Sequence, residues 1–143
     1  MSLSIHRSAL VMHSAEQMYA LVNDIKSYPQ FLPWCASAQL LEHGDDYMVA
    51  SLEVSKGGVR QRFTTRNTLA EHRIDMTLVD GPFKQLSGFW EFQALREDAC
   101  KVALTLNFEL KQGLAKMAFG PVFNQAANSM VDAFCARAKQ VYG

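Results

Sequence analysis

The 143-residue chain has no apolar run that approaches the length of a membrane span, which takes about 20 residues. Any membrane contact is therefore expected to be peripheral. Cysteine is sparse: Cys35, Cys100 and Cys135 are odd in number, widely spaced and contain no Cys-x-x-Cys pair. That excludes a disulfide framework and a zinc ribbon and points to a reducing compartment. Charge of one sign is also missing, since 14 Lys and Arg balance 14 Asp and Glu. A global electrostatic pull on nucleic acid is ruled out, and any such binding needs a local patch. The N-terminal stretch carries His6 and Arg7 within a moderately apolar run and does not read as a signal peptide. Repeats, linkers and low-complexity segments are absent, so residues 1–143 read as one cytoplasmic domain.

Catalytic patterns are equally scarce. His6, His13, His43 and His72 are scattered, none at a two-histidine metal spacing, and no cysteine joins them. There is no Gly-x-Ser-x-Gly elbow and no phosphate loop. Gly57-Gly58 reads as a turn, and Asp45-Asp46 and Asp80 read as loop carboxylates. Cys35 has aromatic neighbours that would raise its pKa, the opposite of what a reactive thiolate needs. No catalytic residue and no metal ligand is assigned, and a non-enzymatic protein is expected.

What the chain does have is clear periodicity. Residues 3–12 read as a strand. Ser14 with Gln17 three positions on is a capping-box pattern, and Met18, Leu21, Val22 and Ile25 follow at helical spacing. From about Ala36 to Lys111 the period is two: Met48, Ala50, Leu52 and Val54 alternate with Tyr47, Val49, Ser51 and Glu53, and Val102, Leu104, Leu106 and Phe108 with Lys101, Ala103, Thr105 and Asn107. About six strands joined by short loops predict an antiparallel meander. Leu114 to Ala118 is expected to form a short turn. The chain closes with a long amphipathic helix through Phe119, Phe123, Ala126, Ala127, Met130, Val131 and Phe134. A twisted sheet of this size can wrap around one long helix, giving an α+β fold.

Between the first helix and the first long strand runs Asp24-Ile25-Lys26-Ser27-Tyr28-Pro29-Gln30-Phe31-Leu32-Pro33-Trp34-Cys35. Two prolines stop a long helix here, and the aromatic content is too high to be left in water. The segment must pack beneath the domain or rim an apolar pocket. Phe31, Pro33 and Trp34 here, Phe83 and Trp90 near the Gly81-Pro82 break, and Met117, Phe119, Phe123 and Met130 on the last helix are candidates for one cavity wall. The same residues could instead simply fill the core. On the other parity of the strands, Arg60, Arg62 and Arg66 share a face, with Arg73 near them. They read either as phosphate contacts or as solvated partners of Glu53, Glu71 or Glu91.

Val22-Asn23-Asp24-Ile25 through Tyr28-Pro29 to Phe31-Leu32-Pro33-Trp34-Cys35 resembles the opening of the coenzyme-Q-binding and ribosome-association toxin (RatA) branch of the START-like superfamily. Gly81-Pro82-Phe83 followed by Leu86 and Gly88-Phe89-Trp90-Glu91-Phe92 is similar to its second signature. Leu106-Asn107-Phe108-Glu109-Leu110 and Met130-Val131-Asp132-Ala133-Phe134 with Arg137-Ala138 are similar to its last strand and closing helix. The resemblance spans essentially the whole chain and lacks a mitochondrial presequence, as in a bacterial-type member. It implies a helix-grip fold with an apolar cavity under the long helix. It further implies two activities. One is binding of an isoprenoid quinone, ubiquinone first among them, in support of respiratory electron transfer, with no cofactor required. On that reading Phe31, Trp34, Phe83, Trp90, Phe119 and Phe123 make the wall, and Tyr28 hydrogen-bonds a quinone oxygen near the mouth. The other is binding to the large ribosomal subunit, which blocks subunit association, with Arg60, Arg62, Arg66 and Arg73 as RNA contacts. Superfamily relatives called polyketide cyclases catalyse reactions, but a cyclase needs acid–base groups that cannot be placed here.

Overall fold

The computed structural model describes residues 2–113 and 119–143; Met117 and the turn expected over 114–118 lie outside them. The chain runs β1 (Ser2–Val11), α1 (Ala15–Asn23), a 3-10 turn over Ile25–Gln30, β2 (Cys35–His43), β3 (Tyr47–Lys56), β4 (Val59–Ala70), β5 (Arg73–Asp80), β6 (Phe83–Arg96), β7 (Ala99–Leu110) and α2 (Phe119–Tyr142). The seven strands form one antiparallel sheet in the order β1-β7-β6-β5-β4-β3-β2. Strands β2 to β7 pair in chain order as five successive hairpins, and β1 pairs with β7 from Ser2↔Glu109 to Val11↔Cys100.

Local chemistry accounts for the main joints. Ser14 Oγ accepts from the Gln17 backbone N–H, and Gln17 Oε1 accepts from the Ser14 N–H, both at 3.0 Å, so the capping box starts α1 as expected. Pro29 sits inside the 3-10 turn, which ends where the chain swings into β2. Gly57 and Gly58, at φ 58° and 83°, supply the two positive φ values that a two-residue hairpin between β3 and β4 requires. Register breaks at Leu40/Glu42, Thr64/Thr65 and Phe83/Gln85 add bulges that bend the strands and curve the sheet.

Side-chain parity then separates two faces. Met48, Ala50 and Val54 of β3 are buried, as are Phe63, Thr65 and Asn67 of β4, and Val102, Leu104, Leu106 and Phe108 of β7. These point to the concave side, where α2 lies along the sheet and α1 and the 3-10 turn close the ends. Two aromatic plugs fix α2. Near its start, Phe119 and Phe123 pack on Phe63, Phe83 and Phe108, with Phe83 and Phe123 centroids 4.9 Å apart. Further along, Phe134 packs edge-on against Tyr28, Phe31 and Trp90 at 5.2–5.5 Å. Phe123 and Phe134 are three turns apart, about 16 Å of helix, and the face between them carries Ala126, Ala127 and Met130.

Candidate functional site: a cavity between two aromatic plugs

Small side chains in the middle of a buried helix face leave space that neither plug fills. An apolar cavity results, walled by Val22, Ile25 and Tyr28 at one end. Trp34 and Ala50, Leu52 and Phe63 form its side, Ile74, Met76, Leu86, Trp90, Leu104 and Leu106 its floor, and Phe123, Ala126, Ala127 and Met130 its roof. It holds ≈ 730 Å³ of empty space counting its mouth, of which the centre of a water molecule can occupy ≈ 70 Å³. The smaller figure is the one that compares with ligand pockets of about 300–1,000 Å³; it falls well below them and describes a narrow slot that a ligand must widen to enter. Asn23, Leu52, Met76 and Met130 are the half-buried members of the wall, so the mouth lies between the end of α1, the middle of α2 and strands β3 and β5.

Polar groups in the wall are few, and among the described residues none of the lining side chains is charged. Asn23, Thr65 and Asn67 supply them. Thr65 Oγ1 donates to Asn67 Oδ1 at 2.9 Å. Trp34 is 7% exposed and its indole Nε1 has no hydrogen-bond partner among the described residues.

Of the residues expected in the wall, Tyr28, Trp34, Trp90, Phe123 and Met130 line the cavity. Met117 is outside the described residues, and the other four lie elsewhere. Phe83 and Phe119 are buried in the first plug. Phe31 packs outside the wall, between Tyr28, Phe134 and the Arg137 guanidinium that lies 5.1 Å from its ring. Pro33 is exposed. The expected role of Tyr28 is corrected: its hydroxyl is buried and donates to the Val22 carbonyl. Val22 is in the last turn of α1, where a carbonyl has no partner within the helix, and Tyr28 caps it. Burial, with Cys35 and Asp24 nearby, holds the phenol well above its ordinary range, so it neither ionises nor offers a spare donor. Sequence reasoning missed Ala50, Ala126 and Ala127, whose smallness makes the cavity, and Thr65 and Asn67, polar residues at the inward parity of β4.

Cys35 is buried. Desolvation, reinforced by Glu53, pushes its thiol up to about 11, which fits a structural role.

On the convex face the four arginines part company. Arg60 Nη1 lies 3.2 Å from Glu53 Oε1. Arg73 is held by Asp75 at 2.9 Å and Glu91 at 3.3 Å and sits 4.0 Å over the Phe89 ring; the hydrogen bond to Asp75 raises its pKa further. Arg62 instead donates to two hydroxyls, Ser51 Oγ at 3.3 Å and Ser37 Oγ at 3.2 Å. Arg66 lies 4.1 Å over the Tyr47 ring. Among the described residues, neither of these two forms an ion pair.

A long helix gripped by a curved antiparallel sheet, with an apolar cavity between them, defines a helix-grip protein. Residues 11–135 match the family described as polyketide cyclase / dehydrase and lipid transport, and the chain belongs to that family, in the START-like branch that holds the RatA and coenzyme-Q-binding proteins. It is 54% identical over 144 residues, covering 100% of both chains, to the Ribosome association toxin RatA of Pseudomonas aeruginosa. It is 30% identical to the Coenzyme Q-binding protein COQ10 homolog B, mitochondrial, of Xenopus laevis, over 91% of this chain and 55% of that one. The Zhui aromatase/cyclase from Streptomyces sp. R1128 shares its fold, with a TM-score of 0.87 and 18% identity over 100% of this chain and 97% of that one. Among the described residues, no helix is long and apolar enough to cross a membrane.

Proposed function

We propose that this protein binds the ribosome, docking on the large subunit so that the small subunit cannot join it. The observation that carries this reading is the 54% identity, end to end, with a protein named for ribosome association. The convex face supplies a suitable contact. Arg62 and Arg66 have no carboxylate partner among the described residues, and Tyr47 beneath Arg66 adds a flat aromatic surface of the kind that stacks on unpaired bases. Arg60 and Arg73 are the weaker candidates, because carboxylates already neutralise them.

The test is cosedimentation with isolated large subunits across a salt series. Wild-type affinity should fall steeply with salt. Arg62→Gln with Arg66→Gln should reduce the log–log slope by about 1.4–1.8, from 0.7–0.9 per phosphate contact. No cosedimentation at low salt overturns the function; an unchanged slope in the double variant overturns the surface.

The cavity favours a second activity alongside the first: binding of a hydrophobic isoprenoid ligand, with ubiquinone the leading candidate. The apolar wall and the coenzyme-Q-binding relative support it. Each 100 Å² of apolar ligand surface buried contributes about 2.5 kcal/mol before ordering costs. Neither activity makes or breaks a covalent bond, and the single titratable side chain in the wall among the described residues, Tyr28, has its hydroxyl committed to Val22, so the protein acts as a binder rather than an enzyme. Organic extraction of the purified protein and mass spectrometry for quinones tests this: near-stoichiometric quinone supports it. A chain that carries none and also fails to take up added short-tailed quinone overturns it.

A further inference from the structure

Native proteins rarely leave a buried N–H without an acceptor. The indole of Trp34 is such a case: it forms part of the cavity wall, is sealed from bulk water, and its Nε1–H meets no acceptor among the described residues. The other polar groups of the wall are Asn23, Thr65 and Asn67. Thr65 spends its hydroxyl hydrogen on Asn67 Oδ1, which leaves the Asn67 N–H₂ as the donor of that pair. Among the described residues, no carboxylate in the wall competes for these hydrogens and no cation lines it to hold an anionic ligand.

We infer that the Trp34 indole N–H is the specificity-determining group of the cavity, selecting a neutral, elongated apolar ligand that carries a carbonyl-type acceptor oxygen. This rests on the reading of the cavity as a ligand site. The two donor residues are anchored far apart along β3. The Trp34 carbonyl accepts from the Ser55 N–H, whereas Asn67 pairs with Met48; Ser55 and Met48 are seven residues apart on β3, about 23 Å of strand. A ligand that satisfies Trp34 therefore places its oxygen at the Trp34 end of the slot and lays its apolar body along the remainder, beneath Ala126 and Ala127. A hydrocarbon of the same shape fills the slot but leaves the indole unpaired. A fatty-acid carboxylate reaches the indole only by burying an uncompensated charge.

Two probes of matched chain length separate these cases: decylubiquinone, with carbonyl oxygens, and decylbenzene, without. Affinities are measured by titration for wild type and Trp34→Phe, which keeps an aromatic ring and removes the N–H. The expected result is about a tenfold loss for decylubiquinone, the size of one neutral hydrogen bond, with decylbenzene affinity changed less than twofold. In wild type labelled with ¹⁵N, the Trp34 indole proton should move downfield on adding decylubiquinone and stay in place with decylbenzene. This readout stands even where the variant does not fold. Equal losses for both probes, or a quinone-bound protein with an unmoved Trp34 indole signal, overturn the inference and leave the cavity as a purely apolar site. Failure of wild type to bind either probe overturns the cavity reading itself.

Discussion

Ala127→Leu measures whether the space beneath α2 is real, because the sign of its effect depends on that space. Ala127 is 2% exposed and sits in the roof of the cavity. Leucine adds three carbons there. Burying them in a void contributes about 0.8 kcal/mol each, and fixing the leucine side chain costs about 0.5–1 kcal/mol, which leaves a net gain near 1.5–2 kcal/mol. Ala and Leu differ little in helix propensity, so α2 itself is unaffected. At about 2–4 °C per kcal/mol for a chain of this size, the melting temperature should rise by about 3–8 °C. In a filled core the same change would overpack and cost about 1–3 kcal/mol, lowering it by a similar amount.

Three assays on this one variant discriminate between the two proposed activities. Thermal unfolding by circular dichroism gives the sign. Decylubiquinone titration should show at least a tenfold loss, since the leucine occupies the slot. Cosedimentation with large subunits should be unchanged, since Arg62 and Arg66 lie on the opposite face of the sheet. A fall in melting temperature refutes the void, and wild-type quinone affinity with a raised melting temperature refutes the slot as the binding place.

Tyr28→Phe strips the Val22 carbonyl of its buried donor and should cost about 1–3 kcal/mol in urea unfolding, while decylubiquinone affinity stays within threefold; a quinone-selective loss would restore Tyr28 as a ligand contact. Ser14→Ala removes the cap of α1 and should cost about 1 kcal/mol in the same assay. Arg73→Gln should leave the salt dependence of ribosome cosedimentation unchanged, because Asp75 and Glu91 already hold that guanidinium. Cys35 and Cys100 are held at about 11 against an ordinary 9.0 by burial. The unfolded chain then releases its thiol protons first, so stability that is complete below pH 9 is lost as pH rises toward 11. Cys35→Ala with Cys100→Ala should flatten that decline in melting temperature, and an unchanged slope assigns it to other groups.

The elements were more legible than the site, for a physical reason. Period-two alternation follows from the strand itself, so the buried parity of Met48, Ala50 and Val54 and of Val102, Leu104, Leu106 and Phe108 could be read without tertiary information. The capping box is local in the same sense. A cavity is different, because it depends on what is missing opposite a large side chain. Searching for aromatics found residues of both kinds: Trp34, Trp90 and Phe123 border the space, whereas Phe83 and Phe119 fill the plug beside it. The legible signal was the pair Ala126-Ala127 on a helix face otherwise carrying Phe119, Phe123 and Phe134. Tyr28 was misread because its neighbours in sequence say nothing of where its hydroxyl ends. The orphan carbonyl at the end of α1, six residues earlier, was the local acceptor to look for.

β4 joins the two candidate surfaces. Its inward residues Phe63, Thr65 and Asn67 line the cavity, and its outward residues Arg62 and Arg66 lie on the convex face with no ion pair among the described residues. Period-two geometry makes these sets independent to substitution, since neighbours along the strand point to opposite sides. It also makes them inseparable in register, because a one-residue slip would exchange them. The ladder from Tyr47↔Thr68 to Lys56↔Val59, closed by the Gly57-Gly58 turn, holds that register. Single substitutions should therefore abolish one activity and spare the other. A substitution at Gly58 that strains the turn should instead weaken quinone binding and ribosome binding together, and loss of only one of them would show that the shared strand does not couple the two surfaces.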